Sequence, residues 1–204
     1  MTADGERRVL WTRHGENQAN LSRTLSHRVV DLELTDRGRE QAYALADSLV
    51  DVPLHPHVYT SPLRRARETT DIVAERLGLE PVVIEEFREL DVGELDGRSD
   101  ATAWQTYDGV LAAWRASRAD VRFPSGESLD ELSARLRKGL GRVVTADSAE
   151  AALVIAHGAN LRSALPVLAG VADPGHDLPL GRYATLEIAL DGIGLVDWPV
   201  FDAP

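Results

Sequence analysis

The chain has 204 residues, 44% of them hydrophobic, which is enough apolar material for one α/β domain with a buried core. Its 33 acidic and 22 basic residues give a formal net charge of -11, which disfavours nucleic acid and anionic membranes as partners. Because the sequence has no cysteine, disulfides, thiolate metal sites and a cysteine nucleophile are excluded.

Short apolar segments separated by stretches of helical period predict a largely parallel sheet covered by helices on both faces. The predicted buried strands are residues 9–12, 58–60, 82–84 and 153–156. Two further strands, 184–190 and 195–198, flank Asp191-Gly192, which is the turn chemistry of a hairpin, so at least one strand runs antiparallel. We therefore expect a three-layer αβα sandwich over residues 1–204, with a mostly parallel central sheet and an antiparallel edge strand.

Three amphipathic helices are predicted from apolar stripes and from capping residues. Their boundary residues are Thr35 or Asp36 for the first, Ser61-Pro62 and Gly78 for the second, and the capping box Ser128 with Glu131 for the third. Residues 85–126 fit the alternation of strands and helices least well. We interpret this stretch as an excursion over the sheet that contains one helix.

Two of the predicted strands are followed directly by a histidine and a glycine. Arg13-His14-Gly15 follows the first strand, and His157-Gly158 follows the strand at 153–156. Ligands of α/β sheets gather at the carboxyl ends of strands, so two parallel neighbours bring both imidazoles to one edge. A glycine after the histidine lets substrate and backbone approach closely. Either histidine alone is more often a loop or core residue; the pair favours a site.

The junction between the strand ending at Thr60 and the next helix is a candidate anion site. A helix N-terminus offers free N–H groups and a favourable dipole, and an arginine there adds a bidentate donor for phosphate or carboxylate. The segment Ser61-Pro62-Leu63-Arg64-Arg65-Ala66 contains two such arginines. We assign Arg64 to the site and expect Arg65 or Arg67 to face solvent.

Five motifs stand in order from about residue 9 to 165 and cover most of the chain. They are Arg13-His14-Gly15-Glu16 with Asn20, Leu34-Thr35 with Gly38 and Gln41-Ala42, Ser61-Pro62-Leu63-Arg64-Arg65-Ala66 with Thr69, Arg88-Glu89-Leu90 before Gly93 and Gly97, and His157-Gly158 with Arg162. This ordered set resembles the histidine phosphatase superfamily, also called the phosphoglycerate mutase-like family. In that family the region corresponding to residues 98–126 forms a lid over the site.

The resemblance implies a phosphomonoesterase that hydrolyses a small phosphorylated metabolite through a phosphohistidine on His14. Arg13 and Arg64 would keep the His14 ring neutral by opposing a further positive charge, and His157 would be the second histidine of the phosphate pocket. Glu89, the acid that precedes the glycine-rich stretch in the family pattern, would protonate the leaving alkoxide and then activate water.

Further residues are expected at the pocket. Asn20 and main-chain N–H groups would complete the oxygen cradle, and the residues assigned to this role are Asn20, Gly15, Gly158 and Ala159. Residues 22–31 have no clear counterpart in the family. Such a stretch is more often an exposed loop; if it lines the pocket, Ser26 or His27 would touch the substrate.

No metal and no cofactor is required in this scheme. We expect a cytoplasmic enzyme, because no stretch of the sequence has the pattern of a secretory signal or membrane span. The sequence leaves a monomer and a homodimer open.

Two other functions remain open. A phosphoglycerate mutase shares every residue named above but returns the phosphoryl group to a bound product. The chain lacks the longer insertion that such mutases carry, which favours hydrolysis by fold-level analogy. A non-catalytic phosphate-binding module is the third reading, and it is disfavoured because the expected nucleophile and cations are all present.

Overall fold

A computed structural model describes residues 7–144, 151–172, 178, 182–189 and 192–197. The strands in these residues are β1 (Arg7–Arg13), β2 (Leu54–Thr60), β3 (Glu80–Val83), β4 (Ala151–Ala156), β5 (Tyr183–Ala189) and β6 (Gly192–Asp197). The α-helices are α1 (Gln18–Leu21), α2 (Asp36–Ser48), α3 (Arg64–Leu77), α4 (Ala101–Arg115), α5 (Leu129–Val144) and α6 (Gly158–Ala169). Two short 3₁₀ turns, Glu85–Phe87 and Gly93–Leu95, lie between β3 and α4.

The strands form one mixed sheet in the order β3-β2-β4-β1-β5-β6. The first four are parallel, whereas β5 runs antiparallel to both of its neighbours, β1 and β6. Arg13 pairs with Ala156, so β1 and β4 end at the same level and His14 and His157 leave the sheet side by side. The predicted α/β class and mostly parallel sheet are therefore confirmed.

Each face of the sheet has its own apolar core, because successive side chains of a strand point to opposite faces. On one face, Leu10 and Leu153 belong to a cluster with residues of α2 and α3. On the other face, Trp11 and Val154 belong to a larger cluster with residues of α4, α5 and α6. The result is the predicted three-layer arrangement, with α4 in the excursion. No helix within the described ranges is both long and apolar enough to cross a bilayer.

Three of the predicted capping residues mark helix ends in the structure. The Thr35 side chain accepts a hydrogen bond from the Gly38 N–H at the start of α2. At the start of α5, Ser128 N–H donates to the Glu131 carboxylate at 2.9 Å, and Glu131 N–H donates to the Ser128 hydroxyl at 3.2 Å. Gly78 ends α3 in the left-handed conformation, with φ 69°.

Three predictions about these elements need correction. Helix α3 begins at Arg64 rather than at Pro62, with Leu63 as its N-cap. The third strand is mostly exposed, because β3 is an edge strand that pairs only with β2. Strand β6 begins at Gly192, three residues earlier than predicted. Asp191 of the predicted turn lies outside the described residues.

Gly15 and Gly38 are needed for close backbone packing. A Cβ on Gly15 would overlap the Gly38 carbonyl, and a Cβ on Gly38 would overlap the Glu16 carbonyl. The Gly15 N–H donates to the Thr69 hydroxyl at 3.1 Å. The close approach of backbone expected at Gly15 is confirmed, because its missing side chain makes room for the start of α2 against the loop after β1. Its N–H, predicted to join the oxygen cradle, is bound to Thr69 instead, and Gly15 is not among the residues that line the cavity.

We expect Gly38→Ala to destabilise the fold by about 2–3 kcal/mol, the usual cost of overpacking against backbone that cannot move freely. Gly141→Ala is the matched control, because Gly141 is an exposed residue of α5 with nothing near its Cβ position. That substitution is expected to stabilise the protein by roughly 0.5–1 kcal/mol through helix propensity alone. Urea unfolding checks whether the two substitutions change the free energy of unfolding in opposite directions. A neutral or stabilising effect of Gly38→Ala would contradict the packing argument.

Candidate active site

A cavity of about 350 Å³ lies at the carboxyl ends of β1 and β4. The residues that line it next to these strands are Arg13, His14, Arg65, Glu89, Gly158 and Ala159. The parallel pairing of β1 with β4 brings together groups that are far apart in the sequence. In the parts of the chain that the structure describes, no three histidine or carboxylate side chains are grouped as a metal site requires.

The hydrogen bonds of His14 determine which ring nitrogen is free to react. His14 Nδ1 lies 2.7 Å from the Gly15 carbonyl, which can only accept, so Nδ1 carries the proton. Nε2 then has a lone pair, and it accepts a hydrogen bond of 3.0 Å from Arg65 Nε. Burial lowers the pKa of His14 well below its ordinary value, and the charges of Arg65 and Arg13 lower it further. The ring is therefore a neutral, buried base.

His157 is fully buried beside His14, with 5.3 Å between the ring centroids and 64° between the ring planes. Its Nε2 is 2.7 Å from the Ser61 hydroxyl, and its Nδ1 is 4.0 Å from Glu89 Oε2. Burial also lowers the pKa of His157, with the Arg65 charge as the next cause. Ser61, predicted as a helix cap, thus orients the second histidine.

The arginine of this site is Arg65, and the prediction of Arg64 is wrong. Arg65 is only 1% exposed and also donates to the Ser26 carbonyl at 3.0 Å. The Arg64 side chain is 55% exposed and pairs with Glu33 at 2.6 Å and Glu68 at 2.7 Å. Neighbouring side chains on a helix point about 100° apart, so only one of the two arginines can face His14. The sequence did contain one indication of this outcome: Glu68 lies four residues after Arg64, the spacing of an ion pair on the exposed face of a helix.

Glu89 reaches the cavity from the irregular segment between the two 3₁₀ turns. One carboxylate oxygen, Oε1, accepts hydrogen bonds from the N–H groups of Leu90 at 2.9 Å and Asn160 at 3.3 Å. Asn160 lies in the first turn of α6, so the N-terminus of this helix holds the Glu89 carboxyl group in place. The other oxygen, Oε2, is the one that approaches His157.

The loop at residues 22–31 contributes Ser26 but not His27 to the cavity. Ser26 and Asn20 are lining residues, and Asn20 Oδ1 also accepts from the Asn17 N–H at 3.0 Å. The substrate contact predicted for His27 is wrong. Its Nδ1 lies 2.8 Å from the Glu89 carbonyl, because the Asp96 carboxylate binds the N–H groups of residues 27–29 and fixes this turn.

Helix α4 of the excursion supplies the part of the lining away from the strands. Trp104, Tyr107 and Leu111 line the cavity, whereas Trp114, one turn further along the helix, packs on Phe123 in the core with 5.5 Å between the ring centroids. The structure also adds polar lining residues that were not predicted from the sequence, namely Thr24, Asp108, Arg115, Arg162 and Ser163. Arg162 belongs to the last motif of the family resemblance, where it had no assigned role, and nothing in the local sequence distinguishes the others from ordinary loop or helix-surface residues.

We expect His14 to stay neutral when the pH falls through 6.5, the ordinary histidine value, because its folded pKa is lowered. The same shift makes protonation favour the unfolded chain, so the stability that depends on a neutral His14 is lost as the pH falls. Nitrogen NMR of labelled protein tests this without interference from substrate ionisation. The His14→Asn spectrum assigns the signal, and a titration midpoint near 6.5 would contradict the expected shift.

The geometry defines a class of site. A buried unprotonated imidazole nitrogen, arginines beside it, a helix N-terminus and a facing carboxylate are together suited to hold and transfer a phosphoryl group.

Comparison with known proteins gives the family. The profile of the histidine phosphatase superfamily (branch 1) matches residues 9–198, and the chain belongs to this superfamily. Phosphoglycerate mutase-like protein 4 of Arabidopsis thaliana is 35% identical over 157 residues, covering 76% of this chain and 68% of that protein. The uncharacterized phosphatase PhoE of Bacillus subtilis is 31% identical over 166 residues, covering 81% and 79%. The structure of mycobacterial glucosyl-3-phosphoglycerate phosphatase in complex with VO3 superposes with a TM-score of 0.78 at 26% identity, covering 97% and 100%.

Proposed function

We propose that this protein is a phosphomonoesterase that hydrolyses a small phosphorylated metabolite through a phosphohistidine on His14. The observation that carries the proposal is the tautomer of His14: its Nδ1 proton is held by the Gly15 carbonyl, and its Nε2 lone pair lies at the cavity beside Arg65. A neutral imidazole with its lone pair at a cationic cavity is what attack on phosphorus requires.

In the first step, the phosphate of the substrate takes over the hydrogen bond that Arg65 makes to His14. Nε2 attacks phosphorus, and the N–P bond forms as the P–O bond of the ester breaks. The leaving alkoxide takes its proton from the Glu89 carboxyl group, which lies across the cavity. The alcohol then departs and leaves a phosphorylated histidine.

In the second step, water attacks the phosphohistidine from the side that the alcohol has left. The Glu89 carboxylate accepts a proton from this water as the new P–O bond forms and the N–P bond breaks. Inorganic phosphate is released, and Glu89 is again protonated for the next cycle. One carboxyl group therefore serves as acid in the first step and as base in the second.

The charge that develops on the transferring phosphoryl group is opposed by fixed positive groups. Arg13 and Arg65 line the cavity, and the N-terminus of α6 presents the main chain of Gly158 and Ala159 to it. Such donors are most effective in a buried site, where their orientation needs no adjustment during the reaction. This local concentration of cations allows an anion to bind a chain whose net charge is -11.

We place the alcohol part of the substrate against α4, where the lining is partly aromatic and partly charged. Trp104 and Tyr107 offer flat apolar surface, and Asp108 offers a hydrogen-bond acceptor for hydroxyl groups. A cavity of about 350 Å³ lies at the small end of ligand pockets, which supports a metabolite rather than a phosphoprotein as the substrate.

The test of this function is phosphate release from sugar phosphates, phosphoglycerates, nucleotides and phosphotyrosine. Release of free phosphate from at least one ester supports a phosphatase. The mutase remains a second candidate because a relative of 35% identity has a mutase-like name. Isomerisation of 3-phosphoglycerate without free phosphate would assign the chain to that activity. Tight binding of one ester with no turnover of any would indicate a binding module.

We expect Glu89→Gln to slow phosphorylation of His14 by an alkyl phosphate about 10²-fold, because the amide cannot donate a carboxyl proton. The loss with 4-nitrophenyl phosphate is expected to be much smaller, since its leaving group departs without a proton. Single-turnover quench measurements of acid-labile phosphate give both rates. Glu94→Gln is the control, because Glu94 is exposed and bound to the Ser125 hydroxyl. An equal loss in both variants would contradict the assignment of Glu89.

A further inference from the structure

The guanidinium group of Arg135, on helix α5, uses all five of its N–H donors. Nη1 donates to the Glu86 carbonyl at 2.7 Å and to the Arg88 carbonyl at 2.8 Å. Nη2 donates to the Glu89 carbonyl at 3.5 Å and to Glu127 Oε2 at 2.8 Å, and Nε donates to Glu127 Oε1 at 2.6 Å. A single side chain thus holds three carbonyls of the short segment that ends in Glu89.

This segment needs such support because it belongs to no β-sheet or long helix that would satisfy its main-chain hydrogen bonds. Residues 86–89 are half-buried or buried, so their main-chain carbonyls require donors from elsewhere. Asn160 of α6 supplies two more hydrogen bonds, from Nδ2 to the Phe87 carbonyl at 3.3 Å and to the Arg88 carbonyl at 2.9 Å. The Asn160 main-chain N–H also binds the Glu89 carboxylate. The backbone and the carboxylate of Glu89 are therefore held from two different helices.

Glu127 orients the guanidinium plane of Arg135 and also binds the main chain just after Glu89. Its carboxylate pairs with the guanidinium in a bidentate fashion, and the two side chains are only 16% and 22% exposed. Glu127 Oε2 also accepts from the Asp91 N–H at 3.0 Å, and the Glu127 N–H donates to the Asp91 carbonyl at 2.9 Å. Glu89 is consequently bracketed on both sides by the same ion pair.

We propose that Arg135, oriented by Glu127, is a positioning residue that sets the place of the Glu89 carboxyl group in the cavity. The proposal rests on the proposed function, in which Glu89 exchanges protons with the leaving group and with water. A lysine keeps the charge of Arg135 but has only one nitrogen, so it cannot span three carbonyls and a bidentate carboxylate. The segment is then free to turn its carbonyls, and the Glu89 carboxyl group moves with it.

Arg135→Lys tests the proposal, with Arg137→Lys as the matched control on the exposed side of the same helix. We expect the rate of His14 phosphorylation by an alkyl phosphate to fall roughly 10- to 100-fold, the usual effect of misplacing a catalytic group by about 1 Å. The rate with 4-nitrophenyl phosphate should fall by less than about 3-fold, because that leaving group needs no proton. Arg137→Lys should change neither rate.

The informative quantity is the ratio of the alkyl rate to the aryl rate in one protein preparation, because the fraction of folded enzyme cancels. Glu127→Gln, which keeps the size of the side chain and loses its charge, should lower this ratio in the same direction. In the double variant Arg135→Lys/Glu89→Gln, the alkyl rate should be no lower than with Glu89→Gln alone, because both changes act through one carboxyl group.

A ratio that stays at the wild-type value in Arg135→Lys, while Glu89→Gln lowers it, would overturn the positioning role and leave the proposed function intact. Losses that add in the double variant would also overturn it, because Arg135 would then act by another route. If Glu89→Gln itself leaves the ratio unchanged, the proton-donor assignment fails, and the inference built on it fails with it.

Discussion

Replacing His14 with alanine is expected to lower kcat for phosphate release by more than about 10⁴-fold, the loss typical of removing a covalent nucleophile. Alanine leaves a space where Nε2 stood, and no other described imidazole has an unprotonated nitrogen paired with Arg65. His157 is not a substitute, because its Nε2 is engaged by the Ser61 hydroxyl. Labelled phosphate from the substrate should accordingly fail to appear in an acid-labile form on the variant.

His57→Ala is the control for this measurement. His57 lies on β2 and its side chain is 38% exposed. Its Nε2 lies 3.4 Å from a Glu80 carboxylate oxygen, and the residue does not line the cavity. Its loss is expected to change kcat by less than about 3-fold, as for other partly exposed side chains outside the site. Acid-labile label that persists in His14→Ala, or that maps to His157 in the wild-type protein, would refute the role of His14 as nucleophile.

Arg65→Ala is expected to lower kcat/KM about 10³-fold, within the range for a cation that stabilises a transferring phosphoryl group. The variant loses the charge beside phosphorus and the hydrogen bond that orients His14 Nε2. It also loses the bond to the Ser26 carbonyl, so the loop at 22–31 is released at the same time. Arg65→Lys should recover only part of the activity, because one ammonium cannot make both contacts.

Arg64→Ala is the comparison that makes the Arg65 result specific. The two residues are neighbours in the first turn of α3, carry the same charge and differ in which way they face. Arg64 is exposed and pairs with Glu33 and the half-buried Glu68 outside the cavity, so its removal should change kcat/KM by less than about 3-fold and leave the free energy of unfolding nearly unchanged. A larger loss from Arg64→Ala than from Arg65→Ala would show that the guanidinium groups are assigned the wrong way round. Urea unfolding of both variants separates lost catalysis from lost folding.

Features that depend on residues close together in the chain, or on the general geometry of parallel sheets, could be predicted from the sequence. The cap at Thr35 and the capping box at Ser128 depend on bonds over three residues, and both are present. The convergence of His14 and His157 was also predictable, because residues that directly follow two adjacent parallel strands lie at the same edge of the sheet. The choice of Glu89 came from family resemblance, since five acidic residues lie within ten positions and spacing selects none.

The errors occur where a contact from a distant part of the chain decides an orientation. At the start of α3, the main-chain N–H of Arg64 donates to both carboxylate oxygens of Asp31, a residue 33 positions earlier. Asp31 also lies 3.5 Å from Arg65 Nη1, and it is Arg65 that faces His14. In the same way, Asp96 holds the turn that carries His27 beneath Glu89, from 69 positions away.

The sequence by itself therefore determined most of the strands, the caps of α2 and α5 and the edge of the sheet at which the candidate site lies, because short-range hydrogen bonds and apolar periodicity suffice for these. Only the tertiary structure decided which arginine is buried, why Gly15 must lack a side chain and how Arg135 holds the segment of Glu89. Each of those depends on hydrogen bonds or van der Waals contacts between segments far apart in the chain, and such contacts exist only once the sheet and its helices have packed.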